Sequence, residues 1–214
     1  MVPGRAGQLP WWAGGLPLAG LAGFAFVAAW TEWAGELPGD RQALVELHRV
    51  AGGQVEDLSS VAADLTDLVP LAGLAVAVVA ALLFARRWAD SARFVTAVAV
   101  VWAVNPLLKE LFARDRPGLW PGSEPLSPYG FPSGHAANTA ALVGAVVLVT
   151  WATRWRAPVV VLGALVLALV GFSQLTLGAH YPSDVLAGWM WAGAWVGFVA
   201  SMPSAARRAA RDRA

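Results

Sequence analysis

The chain has 214 residues, of which 57% are hydrophobic and only 14% are charged. This composition and a mean hydropathy of +0.57 exclude an ordinary soluble domain and are typical of a protein embedded in a lipid bilayer. The absence of cysteine excludes a disulfide framework, a thiolate metal site and a cysteine nucleophile, while the net charge of +1 indicates no particular partner.

Six apolar runs divide the chain into membrane segments and connecting segments. They cover approximately residues 16–33, 68–84, 94–111, 136–151, 159–177 and 185–202. Their lengths are close to the roughly 20 helical residues that cross a hydrocarbon core of about 30 Å. We therefore predict an all-α integral membrane bundle of six transmembrane helices that forms a single domain over residues 1–214.

The segments around the first run predict how the chain enters the bundle. The run at 16–33 is longer than the apolar core of about 7 to 15 residues in a secretion signal, so we expect a first span that is retained. Apolar residues recur at helical spacing within 35–66, on both sides of Gly52 and Gly53. This pattern predicts two short amphipathic helices that are hinged at the glycines and lie at the membrane interface. Pro106 should bend the third span.

Three basic residues lie at the end of the third span and just after it, and the start of the next helix lies at the far end of the loop that follows. The cations are Lys109, Arg114 and Arg116. Ser133 can cap the helix that follows the loop, and the small Gly134 lets a ligand approach backbone N–H groups at the positive end of the helix dipole. Together the three cations and the helix start predict a cavity that binds an anion.

A third cluster follows the fifth span and supplies chemically active side chains. Gly178 can end that helix, and Pro182 suits the first turn of the next one. His180 and Asp184 should then lie one helical turn apart. The carboxylate can hold one ring nitrogen protonated, which leaves the other nitrogen free as a nucleophile. Because four spans present these clusters at the same end, the topology alone brings His135 and His180 to one surface.

The basic residues predict the orientation of the bundle. Six spans put both termini on one side, and most of the arginines lie there. They are Arg5, Arg86, Arg87, Arg93, Arg154, Arg156, Arg207, Arg208, Arg211 and Arg213, whereas the opposite side holds Arg41, Arg49, Lys109, Arg114 and Arg116. Because cytoplasmic loops are rich in Lys and Arg, we expect a cell-membrane protein with cytoplasmic termini and an extracytoplasmic anion cavity.

The three clusters resemble the signature motifs of the type 2 phosphatidic acid phosphatase family, and they occur in the same order. Residues 109–117 fit KxxxxxxRP, and residues 132–135 fit PSGH. Residues 173–184 fit SRxxxxxHxxxD except at Gln174, where the family pattern has arginine. The motif region spans 109–184, and the six-span layout is similar to that of bacterial members over most of the rest.

The resemblance implies a role for each motif residue. His180 would attack phosphorus, Asp184 would orient its ring, and His135 would protonate the leaving oxygen as the general acid. The phosphate oxygens would be bound by Lys109, Arg116, Ser133, the backbone N–H of Gly134, and Gln174. The family resemblance implies no metal ion or other cofactor.

The residues themselves also favour a reaction without a metal ion. The only histidines are His48, His135 and His180, which are too few for an obvious metal cage in a chain without cysteine. His48 lies in the amphipathic segment 35–66 and is interpreted as a surface histidine. The partners we expect are a lipid phosphate or diphosphate and the bilayer, with no nucleic acid.

Plainer interpretations exist for single residues. Arg114 lies outside the motif, and it is either an additional phosphate ligand or a basic anchor at the end of a span. Ser133 and Asp184 could each be ordinary first-turn residues of a helix, but their joint spacing with the histidines favours a site.

Three functional classes compete. The favoured one is hydrolysis of a lipid phosphomonoester or diphosphate through a phosphohistidine, with a polyprenyl diphosphate, phosphatidate or phosphatidylglycerophosphate type of substrate. The second is a lipid phosphotransferase that passes the phosphoryl group to an acceptor other than water. The third is a catalytically weakened lipid-phosphate binder, an alternative raised by Gln174.

Overall fold

The computed structural model describes residues 15–119 and 127–202, and this part of the chain forms eight helices. They are α1 Leu16–Ala34, α2 Asp40–Val50, α3 Gly53–Leu65, α4 Leu68–Phe84, α5 Trp88–Phe112, α6 Gly134–Thr150, α7 Arg156–Thr176 and α8 Pro182–Ser201. No β-strand occurs in the described residues, so the all-α prediction is confirmed. Of the arginines used to predict the orientation, Arg5, Arg207, Arg208, Arg211 and Arg213 lie outside the described residues.

The helices support a multi-pass membrane protein. Within the described ranges, α1, α5 and α7 are long and apolar enough to cross a membrane. α3 and α4 pass the same test together, but they are bent by 49° at a short break, so the number rises to four if the pair is one broken span. α6 is apolar but has only 17 residues. All six predicted runs coincide with helices, whereas a total of six spans is not confirmed.

α8 lies in the middle of the bundle, where it packs against α1, α5 and α6. Its buried face is rich in small residues, among them Ala187, Gly188, Ala192 and Gly197. A Cβ on Gly197 would lie 3.2 Å from the ring of Pro17 at the start of α1. Small residues let membrane helices approach closely, so α8 can be surrounded by protein on several sides.

Two short helices follow α1, as the sequence predicted, and they cover one end of the bundle. α2 ends just before the glycine pair, and α3 begins at Gly53. Both helices pack against α7, and α2 also packs against α8. The buried hydroxyl of Thr176 on α7 donates a hydrogen bond to the hydroxyl of Ser59 on α3, at 2.7 Å. The position of these helices at the membrane interface stays a prediction.

α5 carries polar side chains on the face that packs against α6. The helix continues through Pro106, and the bend expected there stays a prediction. Val101, Asn105 and Lys109 are all buried and follow one another at a spacing of one helical turn. This row of buried residues reaches the start of α6. A Cβ on Gly134 would lie 3.6 Å from the side-chain amide nitrogen of Asn105.

Candidate active site

Residues from three separate motifs meet at one end of the bundle. Nη1 of Arg116 lies 3.3 Å from Nε2 of His180, and it donates a hydrogen bond to the carbonyl oxygen of Ala179 at 2.8 Å. A Cβ on Gly134 would lie 3.8 Å from Cε of Lys109. The structure therefore places both motif cations, the start of α6 and the histidine before α8 in one neighbourhood.

The two motif cations are held by backbone carbonyl groups. Nζ of Lys109 donates to the carbonyl oxygen of Tyr129 at 2.8 Å, and Nε of Arg116 donates to that of Ser127 at 3.1 Å. Partial burial lowers the pKa of Arg116, with the carboxylate of Asp184 opposing the shift, but a guanidinium stays charged at neutral pH. Neither cation has a direct ion pair with a carboxylate in the described part of the chain, so both charges are available to an anion.

His180 and Asp184 form a buried pair at the start of α8. Nδ1 of the histidine lies 3.6 Å from Oδ2 of the carboxylate, which is longer than a hydrogen bond. The two residues are 1% and 0% exposed. Burial lowers the pKa of His180 to about 4, against the opposing effect of Asp184, so the ring is neutral at pH 7. When Nδ1 carries the proton, the lone pair of Nε2 accepts a hydrogen bond from Nη1 of Arg116.

The start of α6 is fastened to the start of α8. The N–H of Ser133 donates to the carbonyl oxygen of Asp184 at 3.0 Å, and Oγ of Ser133 caps α6 by accepting from the N–H of Ala136 at 3.4 Å. Gly188 permits this approach, because a Cβ there would lie 2.8 Å from the carbonyl oxygen of Ser133. The PSGH segment therefore has a fixed place beside His180.

His135 lies at the partly exposed edge of the site and contacts an acid from another segment. Its Nε2 lies 2.9 Å from Oδ1 of Asp67, which stands between α3 and α4. The exposed fractions of the two side chains are 27% and 60%. Sequence analysis missed Asp67, since an acid at the end of a helix is common and its pattern says nothing about which distant residue it reaches.

Arg114 is buried among protein groups, with 8% of its side chain exposed, and it is not an exposed membrane anchor. Its Nη1 contacts Oδ1 of Asp184 and donates to the hydroxyl of Ser183 at 2.8 Å. Its Nη2 lies 3.2 Å from Oδ2 of Asp40. Arg114 thus holds the carboxylate oxygen that does not face His180. Its predicted contact with phosphate stays a prediction.

Asp40, the first residue of α2, is a second acid that sequence analysis missed. It is buried, and its Oδ1 accepts a hydrogen bond from the N–H of Ser183 at 3.0 Å. Its Oδ2 accepts from the hydroxyl of Ser183 and from the N–H of Leu37, the latter at 3.0 Å. The short helix α2 is therefore tied directly to the first turn of α8.

Gln174 lies buried in the last turn of α7, next to the segment that carries His180. Its carbonyl oxygen accepts hydrogen bonds from the N–H groups of Ala179 and His180, at 3.1 and 3.4 Å. Its side-chain Nε2 has no hydrogen-bond partner among the described residues. An unpaired buried donor costs about 1–3 kcal/mol, so this position favours a ligand or water that accepts a hydrogen bond from it.

Comparison with known proteins identifies the family and the fold. Residues 90–208 match the family model of the PAP2 superfamily. The fold is similar to that of a transmembrane PAP2 type phosphatidylglycerolphosphate phosphatase from Bacillus subtilis, known from a crystal structure, with a TM-score of 0.76. The two chains are 22% identical in sequence, and the match covers 86% of this chain and 93% of that one.

Two curated relatives are phosphatases of polyprenyl lipids by name. An undecaprenyl-diphosphatase of Sulfolobus acidocaldarius is 38% identical over 71 residues, which are 33% of this chain and 32% of the relative. A decaprenylphosphoryl-5-phosphoribose phosphatase of Mycobacterium tuberculosis is 36% identical over 117 residues, which are 53% of this chain and 61% of the relative. The chain thus spans less than two thirds of the length of either relative.

Proposed function

Because this chain belongs to the PAP2 superfamily, we propose that it is a membrane lipid phosphatase whose active site lies at the extracytoplasmic end of the bundle. Membership confirms the predicted resemblance to type 2 phosphatidic acid phosphatases. The names of the relatives include a polyprenyl diphosphatase and a decaprenylphosphoryl-phosphoribose phosphatase. The substrate class we propose is a lipid phosphomonoester or diphosphate, of the polyprenyl diphosphate, phosphatidate or phosphatidylglycerophosphate type.

One observation carries this proposal: a neutral histidine lies beside a cation that forms no ion pair with a carboxylate among the described residues. Nε2 of His180 is 3.3 Å from Nη1 of Arg116, and burial keeps the imidazole neutral at pH 7. An anion that binds the guanidinium and displaces this contact would therefore lie beside the lone pair of a nucleophile. Phosphoryl transfer depends chiefly on such positioning and on charge stabilisation.

The proposed reaction has two steps. Nε2 of His180 attacks phosphorus and the P–N bond forms, while the P–O bond to the lipid breaks and His135 gives its proton to the leaving oxygen. Asp184 stabilises the positive charge that develops on the His180 ring. Water then attacks phosphorus while His135 takes a proton from that water, the P–N bond breaks and returns its electron pair to Nε2 of His180, and inorganic phosphate leaves.

Charge stabilisation comes from the groups around the phosphate. In the proposal the non-bridging oxygens are bound by Lys109, Arg116, Ser133, the backbone N–H of Gly134, and Gln174. No metal ion takes part in the proposed steps, so a chelator should leave turnover unchanged. Across the described ranges, no three His, Cys, Asp or Glu side chains form a group that could hold a metal ion.

The function is tested with the purified full chain in lipid nanodiscs. Release of inorganic phosphate is measured from a panel of polyprenyl diphosphates, phosphatidate, phosphatidylglycerophosphate and polyprenyl monophosphates, with His180→Ala as the blank. We expect release from at least one lipid and none from the blank. Equal release by both proteins would show that His180 is not the nucleophile, and release from no lipid would reject the phosphatase.

The outward orientation has a separate test, which the absence of native cysteine makes simple. One variant carries Gln42→Cys on α2, and the other carries Ala152→Cys between α6 and α7; both positions are exposed. A membrane-impermeant thiol reagent applied to intact cells should label the first variant and spare the second. The reverse pattern would put the site on the cytoplasmic face.

Gln174 keeps the weakened lipid-phosphate binder as a second candidate function. Its unpaired buried Nε2 offers one neutral donor where the family motif has arginine, and a neutral amide holds phosphate less tightly than a guanidinium. The same lipid panel separates the two functions. A binder would retain a lipid phosphate without releasing phosphate from it, and an enzyme would turn it over.

A further inference from the structure

We propose that Asp67 is a positioning residue for the acid–base histidine His135, so that the site contains two carboxylate–histidine pairs. This inference rests on the proposed function, in which His135 transfers protons. Oδ1 of Asp67 lies 2.9 Å from Nε2 of His135, although the two residues are 68 positions apart in the sequence. No family motif quoted above includes Asp67.

The local structure directs the side chain of Asp67 away from its own helix. Asp67 occupies the N-cap position of α4, where an acid usually accepts hydrogen bonds from the first backbone N–H groups. Its side chain makes no such bond. The hydroxyl of Thr66 bonds back to the carbonyl oxygen of Ala62 at 2.8 Å, which closes α3, and α4 leaves at a bend of 49°. The Asp67 carboxylate therefore reaches α6 from this joint.

The charges around His135 give this carboxylate a function. A general acid must hold its proton until the leaving oxygen takes it, so the ring must carry a positive charge at the working pH. Burial lowers the pKa of His135, and the nearby cations Arg116 and Lys109 lower it further because like charges repel. Asp184 is engaged with Arg114, so among the described residues Asp67 is the acid in direct contact with His135 that can offset the two cations.

The contact also assigns different roles to the two ring nitrogens. A carboxylate only accepts, so the Nε2–H of His135 donates to Asp67 and stays protonated throughout the reaction. Nδ1 is then the nitrogen that gives its proton to the leaving oxygen and later takes one from water. The ring alternates between imidazolium and neutral imidazole, while Asp67 remains a carboxylate. An acid that fixes the tautomer and orientation of a catalytic histidine acts in the same way in serine proteases.

The first test compares Asp67→Asn with Asp64→Asn, a matched control that removes an exposed acid one turn earlier on α3. We expect the alkaline limb of the kcat/KM profile to move to lower pH by about one unit in Asp67→Asn and to stay in place in the control. The loss of kcat/KM in Asp67→Asn should be larger for an alkyl phosphate than for an aryl phosphate, because a good leaving group needs less help from a general acid. Asp67→Glu, which keeps the charge, should retain the original limb.

An Asp67→Asn profile that superimposes on that of the unaltered chain would overturn the proposal. So would an equal loss on alkyl and aryl phosphates, since a purely structural role does not depend on the leaving group.

The second test needs no turnover. The chain has only three histidines, so nitrogen-15 NMR of the ring signals in nanodiscs is tractable, and His135→Gln identifies the signal of His135. Its titration midpoint should fall by about one pH unit in Asp67→Asn and remain unchanged in Asp64→Asn. An unchanged midpoint in Asp67→Asn would reject the pairing. A chain that turns over no lipid would reject the proposed function, and the titration would still decide on the pairing.

Discussion

The two histidines of the site lie in opposite surroundings, although they belong to one proposed reaction. His180 is 1% exposed, its partner Asp184 is fully buried, and Arg114 covers the far side of that carboxylate. His135 and its partner Asp67 are 27% and 60% exposed. In the proposed reaction, burial keeps the nucleophile His180 neutral, whereas the proton donor His135 stays accessible to the leaving group and to water.

The same comparison predicts different energetic consequences. Removing one partner of a buried ion network leaves an uncompensated charge inside the protein, which costs about 3–5 kcal/mol. An exposed pair is screened by water and contributes little to the free energy of unfolding. Changes around His180 should therefore damage both activity and stability, and changes around His135 should damage activity alone.

The largest effect should come from the histidines themselves. His180→Ala should abolish turnover of every substrate, whereas His135→Ala should lose about 100- to 10,000-fold on an alkyl phosphate and recover part of that on an aryl phosphate. Steady-state rates of both variants on a matched alkyl and aryl pair test this. Equal losses on both substrates would remove the distinction between nucleophile and acid.

Arg114→Ala tests how much the buried ion pairs around Asp184 stabilise the fold. The change leaves Asp40 and Asp184 buried without their cation, so the free energy of unfolding should fall by about 3–5 kcal/mol. Thermal unfolding in detergent measures the loss. The matched control is Arg41→Ala, because Arg41 is 55% exposed and contacts Glu36 at 3.5 Å. If the two variants were equally stable, the buried network would not matter.

Gln174→Arg should strengthen phosphate binding in the buried part of the site, because it restores the arginine of the family motif. A charge-assisted hydrogen bond contributes about 1.5–3 kcal/mol, so hydrolysis of generic lipid phosphates should speed up by about tenfold or more. If glutamine instead recognises a polar group of the native lipid, the variant should be slower on that lipid alone. Rates across the lipid panel distinguish a uniform gain from such a reversal, and no change on any lipid would place Gln174 outside the phosphate site.

A smaller effect concerns the pH dependence of stability. The pKa of His180 is about 4 in the folded chain and about 6.5 in an unfolded one, so between these values the unfolded chain binds more protons. Stability should therefore be lost as the pH falls from about 6.5 towards 4. The Tm should decrease by a few degrees between pH 7 and pH 5, and less in His180→Gln. An equal decrease in both would show that other groups are responsible.

Much of the fold and most of the proposed site could be predicted from the sequence, because the signals are local. Hydropathy and spacing located all the long helices, and the glycine pair located the break between α2 and α3. The motif residues lie at helix ends, so alternating spans already bring Lys109, His135 and His180 to one end of the bundle. The count of spans was harder, since a central helix such as α8 is surrounded by protein and does not need a purely apolar sequence.

Only the tertiary structure decided which groups support the two histidines. Asp67 reaches His135 across 68 positions, and Asp40 reaches Ser183 across 143. Such contacts depend on the rotation of each helix about its axis and on how closely the helix ends approach, as at Gly188. An acid at a helix start looks the same in a sequence whether it faces water or a buried cation. The packing of α2 against α7 and α8, and of α3 against α7, distinguishes an acid that faces water from one that faces a buried cation.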